Sequence, residues 1–224
     1  MEDRETVPET RLSRAVYSRE NVANACNLDV NKLEMVRTLF ITSSSYKYKA
    51  FQEFLGAPVQ MIRLDIEEIQ GSKEEIIIDK LQKVSHLVTE STFVFVDDTS
   101  IHMSGLGGFP GQYAKDFLKM GAPRVLEVAS KVGGECVYST IIGVVHMHKG
   151  KMVTRTFAGE VHGSIMPRDG VKPEIFSDLF TAEEDEHDEM PHGIAGIKIG
   201  RYRAVEKVKR YLAEIGVYDR MFDH

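Results

Sequence analysis

The sequence is poor in cysteine, lacks any long apolar run and carries no surplus of positive charge. Two cysteines, Cys26 and Cys136, in 224 residues point to a reducing compartment, read here as the cytoplasm. No apolar stretch approaches the ~18 residues of a membrane-spanning helix. The opening MEDRETVPET has no hydrophobic segment of the kind a secretory leader carries. No membrane partner is therefore expected. The formal net charge is −6, and Lys and Arg are spread thinly where a duplex-binding protein needs a basic patch. That balance argues against nucleic acid and for a small-molecule ligand. There is no internal repeat, no low-complexity tract and no G-x-x-x-x-G-K-[ST] loop.

What is present is an ordinary soluble composition, 42% apolar and 28% charged, rich enough in Ile, Val, Leu and Phe to bury a core. The length suits one α/β domain with a modest extension. Residues 1–36, rich in Arg, Glu and Asn, show no sustained period and read as a partly disordered extension. The domain is expected over 37–216, with a tail at 217–224.

From Arg37 the periodicity is that of alternating strands and helices. RTLFIT is a short buried strand. In SSSYKYKAFQEFLG, Ala50, Phe51, Phe54 and Leu55 recur at helical spacing before Gly56 closes the helix. PVQMIRL is a strand, SKEEIIIDKLQKVSHLV a helix, and 93–97 a strand. After a glycine-rich loop, YAKDFLKMG and PRVLEVASKVG read as two helices. CVYSTIIGVVHMH and MVTRTFAGEVHGSIM, joined at KGK, form a hairpin. A last helix, YRAVEKVKRYLAEIG, has Val205, Val208, Leu212 and Ile215 on one face. The expected fold is a mixed α/β sheet flanked by helices.

FVFVDDT ends an apolar strand on two carboxylates, Asp97 and Asp98, where ligands bind in the crevice beyond α/β strand ends. Neighbouring strand residues point to opposite faces, so the two do not chelate as a pair. One faces the crevice and the other needs its own partner; the alternative is that either merely caps a turn. Hard oxygen donors with few His or Cys neighbours favour Mg²⁺. Upstream, Thr42, Ser43, Ser44 and Ser45 sit between a strand and a helix start, where hydroxyls and free amides favour an anion, and Lys47 adds a charge. The competing reading is an ordinary serine N-cap.

The order LFITSSSYKYKAFQEFLG, LDIEEIQGSKEEIIIDKL, FVFVDDTSIHMSGLGGFPGQYAKDFL and FAGEVHGSIMPRDG resembles the inosine triphosphate pyrophosphatase family over residues 38 to 215. The resemblance implies an elongated sheet, two lobes with a nucleotide cleft between them, a Mg²⁺ requirement and a homodimer. It also implies hydrolysis of nucleoside triphosphates of the ITP, dITP and XTP type to the monophosphate and pyrophosphate. The family's T-G-N-x-x-K phosphate loop falls on Thr42, Ser43, Ser44 and Lys47. Its acidic metal ligand before Q-G falls on Glu68, and a helical lysine on Lys80. The catalytic acid and metal ligand falls on Asp98, with Asp97 assisting, Thr99 near the substrate and a phosphate-facing lysine at Lys115.

Two segments depart from the pattern. Where the family has an aromatic F-G-[YW]-D wall and an S-H-R segment that reads the base, this chain has GVKPEIF and KIGRYRAV. Arg201 is kept, but Ile199 and Gly200 stand where Ser and His belong; Lys172, Glu174, Phe176, Lys198 and Tyr202 are the nearest replacements. Relaxed base selectivity is the expectation. The alternative is a catalytically silent relative that binds a nucleotide or a protein. EEDEHDEMPH, residues 183–192, is crowded on one loop and reads as a solvated charge run. His146 and His148 share a strand face and read as ordinary hairpin positions.

Overall fold

Phe93, Val94, Phe95 and Val96 are apolar without alternation, as a strand must be when both its faces are covered. In the computed structural model, which describes residues 36–167, 176–187 and 190–222, they lie in β3 (Thr92–Met103) at the middle of a mixed sheet. The extension to residue 35 with Cys26, and Lys172 and Glu174, lie outside the described residues. Strand β1 (Arg37–Ile41) pairs in parallel with both β3 and the short β2 (Gln60–Ile62). On the other side β5 (Glu135–His148), β6 (Lys151–Ile165) and β7 (Phe180–Ala182) continue the sheet antiparallel, and β4 (Pro110–Gly111) pairs with the end of β3. The β5–β6 turn is Lys149–Gly150, both at positive φ (51° and 71°), as a tight two-residue hairpin requires.

Helix α1 (Ser45–Leu55) starts on its Ser44 cap and ends at Gly56, whose φ of 70° is left-handed. The four residues picked out by period, Ala50, Phe51, Phe54 and Leu55, are its buried face. Helix α2 (Lys73–Val84) opens with a reciprocal capping box between Ser72 and Glu75. Two short helices, α3 (Ala114–Leu118) and α4 (Ala122–Val132), follow the glycine loop. Helix α5 (Lys198–Glu214) begins four residues before the expected Tyr202, so Ile199, Gly200 and Arg201 are helical.

Strand alternation sorts the core. Phe93 and Phe95 join Phe40, Phe51, Val208 and Leu212 beneath α1 and α5, while Val94 and Val96 join Ile77, Leu81 and Ile141 beneath α2. A further cluster, with Ile101, Met103, Phe117, Val125, Val161 and Phe180, lies toward the far ends of the long strands under α3 and α4.

The carboxylate doublet does not end β3, contrary to the sequence reading. The ladder with β5 runs unbroken from Val94↔Val145 through Asp97↔Ile142 and Asp98↔Ile141 to Met103↔Cys136. What stops there is the other neighbour: the last β1 pairing is Phe40↔Phe95. His146 is a core residue, 1% exposed, stacked on Phe93 and hydrogen-bonded to the Tyr211 hydroxyl at 2.7 Å. In the 183–192 run, Glu186 is buried, accepts the His162 amide at 2.9 Å and pairs with Arg203. Among the described residues no three His, Cys, Asp or Glu gather as a metal site.

Candidate active site

Because β1 stops at Ile41 while β3 and β5 run on, a cleft of about 450 Å³ opens beside the doublet. The β1–α1 turn brings Thr42, Ser43, Ser44 and Lys47 to its wall. The segment after β2 supplies Glu68, α2 supplies Lys80, and β3 supplies Asp97, Asp98 and Thr99. Lys115 of α3 lines it as well. The phosphate, metal and acid residues expected from the sequence thus converge on one cavity, although they are spread from Thr42 to Lys115 along the chain.

Each carboxylate of the doublet has its own cation, on its own side of the sheet. Asp98 Oδ1 accepts from Lys80 Nζ at 2.9 Å, and the same ammonium is 2.8 Å from Glu68 Oε1 and donates to the Asp97 carbonyl at 3.2 Å. Asp97 instead meets Arg201 Nη1 at 2.5 Å through Oδ2 and Lys47 Nζ at 3.3 Å through Oδ1. Their acidities diverge accordingly. Burial pushes the Asp97 carboxyl up, but Lys47 and Arg201 outweigh it and hold the group at about 2. For Asp98, burial prevails over Lys80 and raises the carboxyl above its ordinary value. Burial lowers Lys80, yet Asp98 and Glu68 raise it further and keep it charged.

The serine-rich turn combines the two functions weighed for it. Thr42 Oγ1 accepts the Ser44 amide at 3.1 Å, and Ser44 Oγ accepts the Lys47 amide at 3.3 Å. Those hydroxyls build the turn and cap α1, so what the turn offers a ligand is the open end of the helix, with its unsatisfied amides, and exposed Ser43.

Arg201 is 3% exposed and stands behind Asp97, not on the cleft wall. The positions compared with Ser and His are packing positions: Ile199 is fully buried in the far core, and Gly200 brings α5 against β5 and β6, where an added Cβ would lie 3.2 Å from the Gly159 oxygen. Tyr202 packs edge-on against Phe54, and Lys198 borders an adjoining hollow with Ala195 and Thr181. Sequence reasoning missed Tyr46 and Tyr138. Both line the cleft, where Tyr138 stacks on Phe176 at 6.0 Å. The signal for Tyr138 is its register: it sits opposite Ile101, on the face of Asp97 and Thr99.

A divalent cation fits this donor set. Glu68 and Asp98 both reach a single ammonium within 2.9 Å, so their oxygens converge on one point, and hard carboxylates suit a hard ion.

The Ham1 family model matches residues 38–211. An inosine triphosphate pyrophosphatase from Encephalitozoon intestinalis is 33% identical over 178 residues, covering 74% of this chain and 91% of that protein. One from Encephalitozoon cuniculi is 31% identical over 186 residues, covering 82% and 97%. Among solved structures, the Staphylococcus aureus Ham1 protein superposes with a TM-score of 0.57 at 17% identity, covering 80% of this chain and all of that one. A HAM1 protein from Coxiella burnetii gives 0.56 at 18% identity, covering 79% and 99%. The structural likeness carries the sheet and its flanking helices, the family match spans the whole cleft-forming region, and on these grounds the chain belongs to the Ham1 family.

Proposed function

We propose that this chain hydrolyses nucleoside triphosphates of the ITP, dITP and XTP type to the monophosphate and pyrophosphate, with Mg²⁺ as cofactor and relaxed base selectivity. The observation that carries the reading is the convergence of Glu68 and Asp98 with Lys47, Lys80 and Lys115 on one cleft, a charge pattern matched to a metal–triphosphate. The relatives' names point the same way. On this reading the protein is a cytoplasmic homodimer; among the described residues no helix is long and apolar enough to cross a membrane.

Glu68 and Asp98 would hold the cation, which supplies Lewis-acid activation of the phosphate oxygens and of water. Asp98 orients the attacking water toward the α-phosphorus and receives its proton as the bond to the pyrophosphate oxygen breaks. Lys47 and Lys115 meet the charge that builds on the leaving pyrophosphate, and Lys80 keeps the two acidic side chains together. Asp97 remains anionic and anchors Lys47. At the other end the base lies against Tyr138 and Phe176, an apolar wall that stacks on any purine and supplies few polar groups to tell one from another. Pyrophosphate release from ITP, XTP, dUTP, ATP and GTP, with and without Mg²⁺, tests this. The expected result is Mg²⁺-dependent release from several purine triphosphates, with ITP and XTP ahead by a modest factor. No release from any of them would leave a silent, ligand-binding member of the family.

A further inference from the structure

Lys47 faces two demands at once: it lines the cleft where a triphosphate is proposed to lie, and its ammonium is 3.3 Å from the buried Asp97 carboxylate. A cation held tightly by a dry carboxylate is a poor partner for anything else. Yet the pair is long, and the reason is visible on the other oxygen. Arg201 Nη1 meets Asp97 Oδ2 at 2.5 Å, with side-chain exposures of 3% and 2%, whereas Lys47 keeps 24% of its side chain exposed.

We propose that Arg201 is a positioning residue that occupies Asp97 and so leaves Lys47 available to the substrate phosphates. This deepens the nucleotide-hydrolysis reading and rests on it. Both cations draw on one carboxylate; the guanidinium, buried and closer, adds a short hydrogen bond through Oδ2 to its charge, and the ammonium shares the carboxylate at longer range through Oδ1. Lys80 also faces this carboxylate and adds to its neutralisation, but its own ammonium is fixed on Asp98 and Glu68. Tyr46 and Tyr138, which interact electrostatically with Arg201, carry no charge near neutral pH, since burial raises both phenols. Arg201 can stand there because α5 begins at Lys198 and glycines at 159 and 200 let its first turn lie close on the sheet. Without Arg201, Asp97 would keep Lys47 as its nearest side-chain cation, the pair would tighten, and the ammonium would be drawn back from the cleft.

The test reads Lys47 directly, in the full-length, nucleotide-free protein. Trace acetic anhydride labels each lysine according to its freedom, and peptide mass spectrometry reports Lys47 relative to Lys119, which is exposed just after α3. Arg201→Gln is expected to lower Lys47 labelling several-fold, Asp97→Asn to raise it, and the double variant to match Asp97→Asn. A general loosening of the structure would raise labelling in all three, so the opposite signs separate positioning from mere support. Unchanged or raised labelling in Arg201→Gln overturns the proposal. If that variant does not fold, the double variant, in which both charges are gone, decides it: labelling unlike that of Asp97→Asn overturns the proposal. In turnover, Arg201→Gln is expected to lower kcat/KM for ITP and ATP by the same factor, and a changed ratio would place Arg201 at the base and overturn it. Wild-type protein inactive on every nucleotide would defeat the functional reading while the labelling still judges Arg201.

Discussion

Asp97 and Asp98 leave β3 on opposite faces, and alternation thereby turns two adjacent carboxylates into two separately neutralised groups, one under α5 and one under α2. Their removal should therefore differ in consequence. Asp98→Asn takes away a proposed metal ligand but leaves Lys80 paired with Glu68 at 2.8 Å, so no buried cation is stranded. Turnover should fall by about 3 kcal/mol of transition-state stabilisation or more, roughly a hundredfold, with little change in the urea midpoint. Near-wild-type kcat in that variant would remove Asp98 from the chemistry. For the cations the expectation is uniformity: Lys47→Ala and Lys115→Ala should each lower kcat/KM by a similar factor for every nucleotide, because the triphosphate is common to all. A loss that depends on the base would place the lysine at the other end of the cleft. These residues were legible in the sequence because their positions are tied to short local motifs. Arg201 was legible as a residue but not in its placement, since its partner lies 104 residues away and nothing local specifies that contact.

At the scale of elements, the helices were read best, because their signals are local: the Gly56 stop and the apolar period of α1 hold. Strand ends were read worst. β3 passes through two aspartates that propensity would use as a stop, because an unbroken β5 ladder and three neighbouring cations, Lys47, Lys80 and Arg201, override it. β2 keeps three residues of an expected seven, having only three β1 partners to pair with. Two glycines set how closely the helices that carry the site approach the sheet, and they should differ in cost. A Cβ at Gly143 would fall 2.7 Å from Leu81 Cδ1 and 2.9 Å from Ile77 Cγ1, side-chain atoms that can shift by a small repacking. At Gly159 it would fall 2.1 Å from the Gly200 carbonyl oxygen and 2.5 Å from the Ala204 nitrogen, which are backbone and cannot. Gly143→Ala should cost about 1 kcal/mol in urea unfolding and Gly159→Ala about 3, the two ends of the overpacking range. Gly159→Ala should also depress turnover by shifting α5 and Arg201. Equal costs would show that α5 accommodates the methyl as readily as Leu81 does.

Over the whole molecule, the mixed sheet, the flanking helices and the placing of the cleft followed from the alternation of strand and helix patterns, whereas the aromatic wall did not. Tyr138 and Phe176 meet only through the register of β5 and the path after β6, and register is set by the full set of pairings rather than by any one segment. The same long pairing buries His146 where α5 crosses the hairpin, and that site ties global stability to pH. Burial lowers the His146 imidazole below its ordinary 6.5, more than the Met147 carbonyl raises it. As pH falls through about 6.5, the unfolded chain therefore takes up a proton that the folded one refuses, and stability is lost on acidification; above that pH the contribution is whole. Asp97, held at about 2, begins to weigh only below its unfolded value of 3.8, outside the interval from about pH 8 to 5. The urea midpoint of the wild type should drop across that interval. His146→Phe keeps a ring against Phe93 but loses the 2.7 Å bond to Tyr211, which should cost about 1 kcal/mol at pH 8. Its midpoint should then change less with pH than the wild type's, and an equally steep fall in both proteins would place the acid sensitivity elsewhere.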